Sequence, residues 1–440
     1  MGFAEYGPYL EPPSDRTGPL ARDLDADVAV VGAGYTGLST ALALRNAGID
    51  AVVLEAEFAG AGASGRNAGH LTPTIGKDLP TLLGAFGRER AGALVRFAEA
   101  AVEHTEGVLN KHAIECDYRA SGNFLAAVHP RQTRRLARAA ELGASLGGRV
   151  RFVGPGEMRE RGLPAAFLCG VHEESGGTLD PGRYVLGLRR AARAAGVRLF
   201  EQTPVRGIEA GRRVRLRTPG GRVTADRIVV ATNGYTASLG WRRRAIVPLA
   251  CSLFETEPLG AELREGLGWP GGEGVYTAHE VLESYRFSAH GSLVGGVKTV
   301  RYGWGSRLPR ANDPRSFEII ERTFRERFPE LDAVPMRHFW SGWMGYAPDF
   351  LPLLGVSGPY RNVHHAIGFA GHGLAQATLM GELVAEQLQG REHPLAKALR
   401  RRTISWPPEP LRWLAFQALD RALEALDART DRQVRRLRAR

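Results

Sequence analysis

The most constraining stretch of the chain is Asp27-Val28-Ala29-Val30-Val31-Gly32-Ala33-Gly34-Tyr35-Thr36-Gly37. Val28 to Val31 is an unbroken apolar run, the pattern of a parallel strand covered on both faces rather than one. Three glycines with GxGxxG spacing follow, then the helix-compatible run Leu38 to Asn46. A second apolar run, Ala51 to Leu54, ends at the carboxylate of Glu55. Strand, glycine turn, helix, strand and acid together specify a βαβ unit that grips a dinucleotide. Gly32 makes the turn, Gly34 lets backbone approach a pyrophosphate, and Gly37 lets the helix pack against the strand. The helix N-terminus, with Tyr35 and Thr36, offers N–H groups to the phosphates. Glu55 can accept from ribose hydroxyls, and its charge argues against a 2′-phosphate there.

The 440 residues suffice for two domains. At 43% hydrophobic and 24% charged, the composition is that of a packed globular protein. The net charge is +11, yet the only lysines are Lys77, Lys111, Lys298 and Lys397. The arginines are spread along the chain with no basic patch interleaved with aromatics. This reads as compositional bias, and no nucleic-acid partner is expected. A basic scaffold that has kept a fold and lost turnover is the rival from another class; salt-dependent affinity for DNA or RNA would mark it. Cys116, Cys169 and Cys251 are far apart with no CxxC or Cys/His spacing, so no metal site is expected. A sparse, odd set of cysteines fits a reducing compartment. Met1 to Arg22 carries no apolar signal-peptide core, and no run has transmembrane length. A cytoplasmic location is expected.

Three further segments move the reading from a dinucleotide to FAD. Gly60 to His70 follows Glu55 directly and is dense in small residues and donors, among them Ala63, Ser64, Arg66, Asn67, Gly69 and His70. Such a loop can wrap a pyrophosphate and approach a ring system. The apolar run Asp226 to Ala231 ends in Ala231-Thr232-Asn233, and with Val205 it is placed to flank the adenine end. Gly368 to Gly373 opens a helix running to Leu388; a helix N-terminus there would stabilise negative charge developing near flavin N1 and C2=O.

Elsewhere, helices are expected over 86–112, Arg131 to Leu146, Pro181 to Ala195 and Ser316 to Phe328. Strands are expected over Gly122 to Val128, Val197 to Phe200, Ser284 to Ser288 and Ser292 to Val297, with a hairpin at Pro219-Gly220-Gly221. The order of elements implies an α/β fold: a discontinuous Rossmann-like FAD-binding domain joined to an α+β antiparallel-sheet substrate domain. The expected division is a lead-in over 1–24, an FAD domain from 25–85, 172–236 and 341–395, a substrate domain from 86–171 and 237–340, and a C-terminal amphipathic basic helix in 396–440.

The segments DVAVVGAGYTGLSTALAL, VVLEA, GASGRNAGH, RIVVATNGYTASL, GYAPDFLPLLG and IGFAGHGLAQATLMGELVAEQL span most of residues 25–390. In them the chain resembles the D-amino-acid-oxidase-like FAD-dependent amine oxidoreductases, the glycine oxidase and sarcosine oxidase group. The resemblance implies FAD bound by Gly32, Gly34, Tyr35, Thr36, Gly37, Glu55, Ala56, Ala63, Ser64, Arg66, Asn67, Gly69, His70, Leu71, Val205, Ala231, Thr232, Asn233, Gly371, His372, Gly373 and Leu374. Some relatives attach FAD to a cysteine; here Arg337 to Met344 contains none, so non-covalent FAD is expected. A bond from His70 to the flavin methyl group, as histidines make in other flavoproteins, is one role for that residue, and hydrogen bonding is the plainer one.

The resemblance further implies oxidation of an amine's C–N bond by hydride transfer to flavin N5, giving an imine that water hydrolyses. The partners are then a small amine and oxygen or another electron acceptor. Candidates for the substrate pocket are Tyr285, Arg286, Trp343 and Tyr346. Period-two alternation puts Tyr285 and Phe287 on one face of their strand and Arg286 on the other. Lys298 is the one lysine of the middle region, and the group uses a lysine near N5 to help oxygen accept electrons. Gly295 to Thr299 does not align cleanly with that position, and a surface lysine is the other reading. His279 reads as structural or surface.

The tail holds a helix from Pro410 to Ala428. Leu411, Leu414, Ala418, Ala422, Ala425 and Leu426 line one side, widened by Phe416, Leu419 and Leu423. Asp420, Arg421, Glu424 and Asp427 lie opposite, and Arg432, Arg435, Arg436, Arg438 and Arg440 follow. This is either a helix docked on the body or a peripheral anchor on an anionic membrane. The second form would suit a D- or N-alkyl amino acid dehydrogenase that passes electrons to a quinone.

Overall fold

The structure is a computed structural model that describes residues 2–3, 5–309 and 311–438. Arg440 lies outside the described residues. Two large sheets organise the chain.

The eight-stranded sheet is built around Leu24–Val31. That strand pairs in parallel with Ala51–Leu54, which pairs in parallel with Arg198–Phe200. On its other side it pairs in parallel with Gly221–Val230, whose last residues also run parallel to Val363–Ile367. The expected hairpin forms between Val214–Thr218 and Gly221–Val230. Both faces are covered, which accounts for the unbroken apolar run. Val28 and Val30 pack with the helices Tyr35–Asn46, Leu79–Lys111, Pro181–Ala194 and Gly373–Leu388. Ala29 and Val31 pack on the opposite face with Val52, Leu216 and Ile228. Tyr35–Asn46 and Gly373–Leu388 cross so closely that a Cβ on Gly381 would lie 2.6 Å from Ser39 Cβ.

The nine-stranded sheet runs in the order Gly2–Phe3, Met336–Tyr346, Val247–Thr256, Leu293–Tyr302, Glu283–Phe287, Gly274–Thr277, Asn123–Ala127, Cys169–Glu173, Val150–Val153. It is antiparallel except where Gly2–Phe3 meets Met336–Tyr346 and Gly274–Thr277 meets Asn123–Ala127. One face buries Phe124, Phe254, Tyr285, Phe287 and Phe339 against Phe317, Ile320 and Phe324 of the helix Pro314–Arg327. The other face looks into a cavity. Met336–Tyr346 crosses the expected division at 340/341, and Cys169–Glu173 crosses the one at 171/172.

The C-terminal helix spans Leu411–Arg438, ten residues beyond its expected end. It docks on a mixed side that carries Phe416, Leu423, Asp427, Asp431 and Val434. Asp427 accepts from the N–H groups of Glu280 and Val281 at 2.8 and 3.0 Å, and Asp431 pairs with Lys298 at 3.1 Å. The apolar side with Leu411, Leu414 and Leu426 faces outward, each more than half exposed. Two backbone donors and a cationic cluster hold the acids, which outcompetes burial of a thin leucine and alanine stripe.

Candidate active site

One continuous cavity of about 1600 Å³ joins the two sheets. A drug-sized ligand needs about 300–1,000 Å³, so there is room for a dinucleotide and a small substrate together. Its first wall is the glycine turn. Gly32 has φ +101°, which favours glycine. A Cβ on Gly37 would lie 1.9 Å from Gly32 O, and one on Gly34 would lie 2.7 Å from Ser64 Oγ. Gly37 is therefore a packing glycine behind the turn, while Gly32, Gly34, Tyr35 and Thr36 line the cavity. Glu55 accepts from the N–H groups of Ala33 and Glu57 at 2.7 and 3.1 Å. Burial raises its pKa, opposed by those N–H groups.

The loop Gly60 to His70 is held by its own polar side chains. Asn67 donates to Ala63 O and Ser64 O and accepts from the N–H of Gly69 at 2.9 Å. Ser64 Oγ accepts from the N–H of Tyr35 at 3.0 Å. Buried Arg66 donates to Ala61 O at 2.7 Å and lies 5.5 Å from the Trp343 ring. His70 Nδ1 meets Asn123 Oδ1 at 3.1 Å, while its Nε2 is buried with no partner. Burial pulls the His70 pKa down to about 4, so the ring is neutral at pH 7.

Further round, Ala56, Val205, Ala231, Thr232 and Asn233 line the same cavity. Asn233 Oδ1 accepts from the N–H of Gly368 at 2.9 Å, which ties the strand end to the distal glycine segment. Gly371, with φ +88°, His372, Gly373 and Leu374 line the wall where the helix Gly373–Leu388 begins. His372 makes no side-chain cap, and neither does Gly34 at the head of the other helix. Two helix N-termini thus open onto one cavity without a capping acceptor from their own N-cap residues, an arrangement that suits an anionic ligand. The donor-rich glycine cradle and the unpartnered His70 Nε2 fit FAD.

A family model described as FAD dependent oxidoreductase matches residues 27–387. The chain belongs to this FAD-dependent oxidoreductase family. γ-Glutamylputrescine oxidoreductase from Escherichia coli is 30% identical over 375 residues, covering 84% of this chain and 85% of that protein. A D-amino-acid oxidase from Bradyrhizobium diazoefficiens is 26% identical over 266 residues, 54% of this chain and 56% of that one. Among solved structures, glycine oxidase from Geobacillus kaustophilus superposes with a TM-score of 0.73 at 21% identity, covering 87% of this chain and 100% of that chain. L-proline dehydrogenase from P. horikoshii gives 0.72 at 20% identity, covering 85% and 96%. These two show the shared fold. FAD is the cofactor of this oxidoreductase.

The side-chain candidates separate. Trp343 and Tyr346 line the cavity. Trp343 donates to Pro309 O at 2.9 Å and packs edge-on against Tyr235. Four expectations are corrected. Tyr285 points away from the cavity into the aromatic core, 1% exposed, and donates to Glu283 at 3.0 Å. Arg286 is buried beneath the loop, bonded to Ala68 O and Phe287 O, outside the cavity wall. Leu71 is core, paired with Gly177 in a short strand. Lys298 is neither on the cavity nor on the surface. It joins Glu283, Arg327, His279 and Asp431 in a buried ionic cluster, and Arg327 grips Glu283 with two bonds of 2.9 Å. His279, Glu283 and Asp431 offer three metal-type ligands there, but Lys298 and Arg327 already neutralise the carboxylates. Strand alternation separates Tyr285 from Arg286 as expected. The cavity-facing partner of Arg286 is Ser284, because the loop claims the arginine.

Sequence reasoning missed Tyr276 and Glu173 on the sheet wall, and Phe416, Gln417, Leu419, Asp420 and Leu423, by which the C-terminal helix closes one side of the cavity. Alternation in Gly274–Thr277 puts Tyr276 on one face but cannot say which face meets a ligand.

Proposed function

We propose that this oxidoreductase oxidises the C–N bond of a small amine or amino acid, the α-hydrogen leaving as hydride and the imine product hydrolysing. Bound FAD supplies the two-electron acceptor. The observation that carries this is the continuity of the cavity. The glycine cradle, fit for a dinucleotide, opens without a break onto a wall of Trp343, Tyr346, Tyr276 and Ser284. The named activities of the relatives and fold neighbours also support it: γ-glutamylputrescine, D-amino acids, glycine and L-proline are their substrates. FAD contacts are assigned to the glycine turn, Glu55, the Gly60–His70 loop, Val205, Ala231–Asn233 and Gly371–Leu374, in a domain drawn from 25–85, 174–236 and 347–395, the divisions moved to the ends of the strands Cys169–Glu173 and Met336–Tyr346. The substrate domain is drawn from 86–173 and 237–346. Trp343 and Tyr346 shape the substrate end, where the enclosed wall orients the amine and excludes water.

The test is an anaerobic spectrum of the holoprotein with a panel of amines and amino acids, followed by air. Flavin absorbance bleached by one class names the substrate class; a flavin that none of them bleaches overturns the reading. Rapid recovery in air means oxygen is the acceptor, and slow recovery means another acceptor.

A second reading, peripheral contact with the inner face of a membrane and electron transfer to a quinone, is favoured by one observation. No helix among the described residues is long and apolar enough to cross a membrane. The C-terminal helix, however, exposes Leu411, Leu414 and Leu426 beside Arg421, Arg429, Arg432 and Arg436, with Glu424 its only exposed carboxylate among the described residues. Apolar side chains flanked by arginine suit an anionic lipid surface. Cosedimentation with phosphatidylglycerol vesicles but not phosphatidylcholine vesicles is expected; equal recovery in both supernatants overturns the membrane reading.

A further inference from the structure

Hydride can leave an amine only when its nitrogen carries a lone pair, and an alkylamine reaches an enzyme at pH 7 as an ammonium ion. The cavity wall holds a group suited to that proton. Glu173 ends its strand directly opposite Asn123, the residue that holds His70. It is 6% exposed and lines the cavity. Tyr276, two strands away on the same wall, donates to Glu173 Oε1, while Glu173 Oε2 is buried with no partner. The Tyr276 ring stands edge-on to His70, centroids 6.3 Å apart. Glu173 thus lines the cavity beside the flavin loop with one carboxylate oxygen held and the other buried without a partner, and a perturbed carboxylate in a cleft is a candidate for proton transfer.

We propose that Glu173 is the base that takes the proton from the substrate ammonium, and that Tyr276 positions its carboxylate. The inference rests on amine oxidation as the reaction. In the step, an N–H bond of the ammonium breaks and the proton passes to the Glu173 carboxylate. The electron pair of that bond stays on nitrogen as the lone pair the oxidation requires. No oxidant enters this step.

The titratable groups around Glu173 are Tyr276, two strands away, and Glu99 from the helix Leu79–Lys111, with neutral His70 beside the Tyr276 ring. Burial raises the Glu173 pKa to about 8, with the Tyr276 hydroxyl opposing and the Glu99 charge adding. Glu173 is thus mostly protonated at pH 7 and becomes a base as the pH rises through about 8.

The experiment uses the FAD-loaded enzyme and the amine that bleaches it. Wild-type kcat/KM should rise through about pH 8. Glu173→Gln should lose that limb and fall about 100-fold at the plateau, within the usual range for a positioned base. Tyr276→Phe should move the limb to higher pH, since the carboxylate loses its donor. A second readout needs no turnover: calorimetry in buffers of different ionisation enthalpy with the tert-alkyl analogue of the same amine, which has no α-hydrogen. Wild type should release about one proton per amine bound near pH 7 and about none above pH 9, where the carboxylate keeps it. Glu173→Gln should show no such change. A Glu173→Gln enzyme that keeps both the limb and the pH-dependent release overturns the assignment while amine oxidation stands. A wild-type flavin that no amine bleaches overturns both.

Discussion

The two ends of the cavity are built from different materials. The nucleotide end is backbone: glycine carbons, N–H groups and helix N-termini brought within contact distance of one another. The sheet end is side chains, contributed by strands far apart in sequence. At the first end function depends on atoms that are missing, so a carbon added at Gly37 collides with backbone and one added at Gly34 with Ser64 Oγ. At the second it depends on which side chain stands at which place, so one group can be exchanged while the fold persists. The strand Glu283–Phe287 carries the same lesson within five residues. Ser284 meets the cavity, Tyr285 the aromatic core, and Glu283 an ionic cluster.

The sharpest way to break this contrast is Gly37→Ala. With its Cβ placed 1.9 Å from Gly32 O, the glycine turn must move. A loss of more than about 4 kcal/mol and no bound flavin are expected, read by thermal unfolding and by absorbance after FAD reconstitution. A yellow, stable Gly37→Ala protein would mean the turn has slack that the structure does not show.

Next in size is Glu283→Gln, which leaves Arg327 and Lys298 in the interior to share the single carboxylate of Asp431. About 3–5 kcal/mol of stability should be lost, read by urea unfolding. The arginine, lysine and histidine around Glu283 outweigh its burial and depress its carboxyl pKa. That contribution is complete at neutral pH, above the unfolded carboxylate pKa of about 4.3. It should fade as the pH falls below that value toward the folded one. A urea midpoint that is flat with pH in wild type relative to Glu283→Gln would contradict the ion cluster.

Trp343→Ala tests the sheet end. It should lower kcat/KM roughly 10–100-fold, equivalent to about 1.4–2.7 kcal/mol, and leave the FAD spectrum in place. Loss of FAD instead would move Trp343 to the nucleotide end. The smallest effect is expected of Tyr285→Phe. One hydroxyl bond to Glu283 disappears, costing about 1 kcal/mol, with kcat/KM unchanged. A tenfold loss of activity would return Tyr285 to the substrate pocket.

Much of the nucleotide end was legible because its signals are local. Gly32, Gly34, Gly37 and Glu55 carry fixed spacing in a βαβ unit, and the apolar run of Val28 to Val31 already implies a sheet covered on both faces. Leu71 was misread because it adjoins His70 in the chain while its side chain turns into the core. The tail shows the opposite failure. The helix and its two faces were readable, but the apolar face was the natural one to bury. The N–H groups of Glu280 and Val281, more than a hundred residues away, hold Asp427 on the docked side, so Phe416 and Leu423 reach the body while Leu411, Leu414 and Leu426 stay exposed.

By itself the sequence determined the βαβ cradle, the FAD reading and the alternation that parts Tyr285 from Arg286, because turns, strand period and helix ends are set by neighbours in the chain. Only the tertiary structure decided which strand face meets the cavity, that Lys298 is locked among Glu283, Arg327 and Asp431, and that Glu173 and Tyr276 meet on one wall. Those outcomes depend on which distant backbone groups and charges come within bonding distance, and a pattern of period two or 3.6 names two faces without saying what lies beyond either.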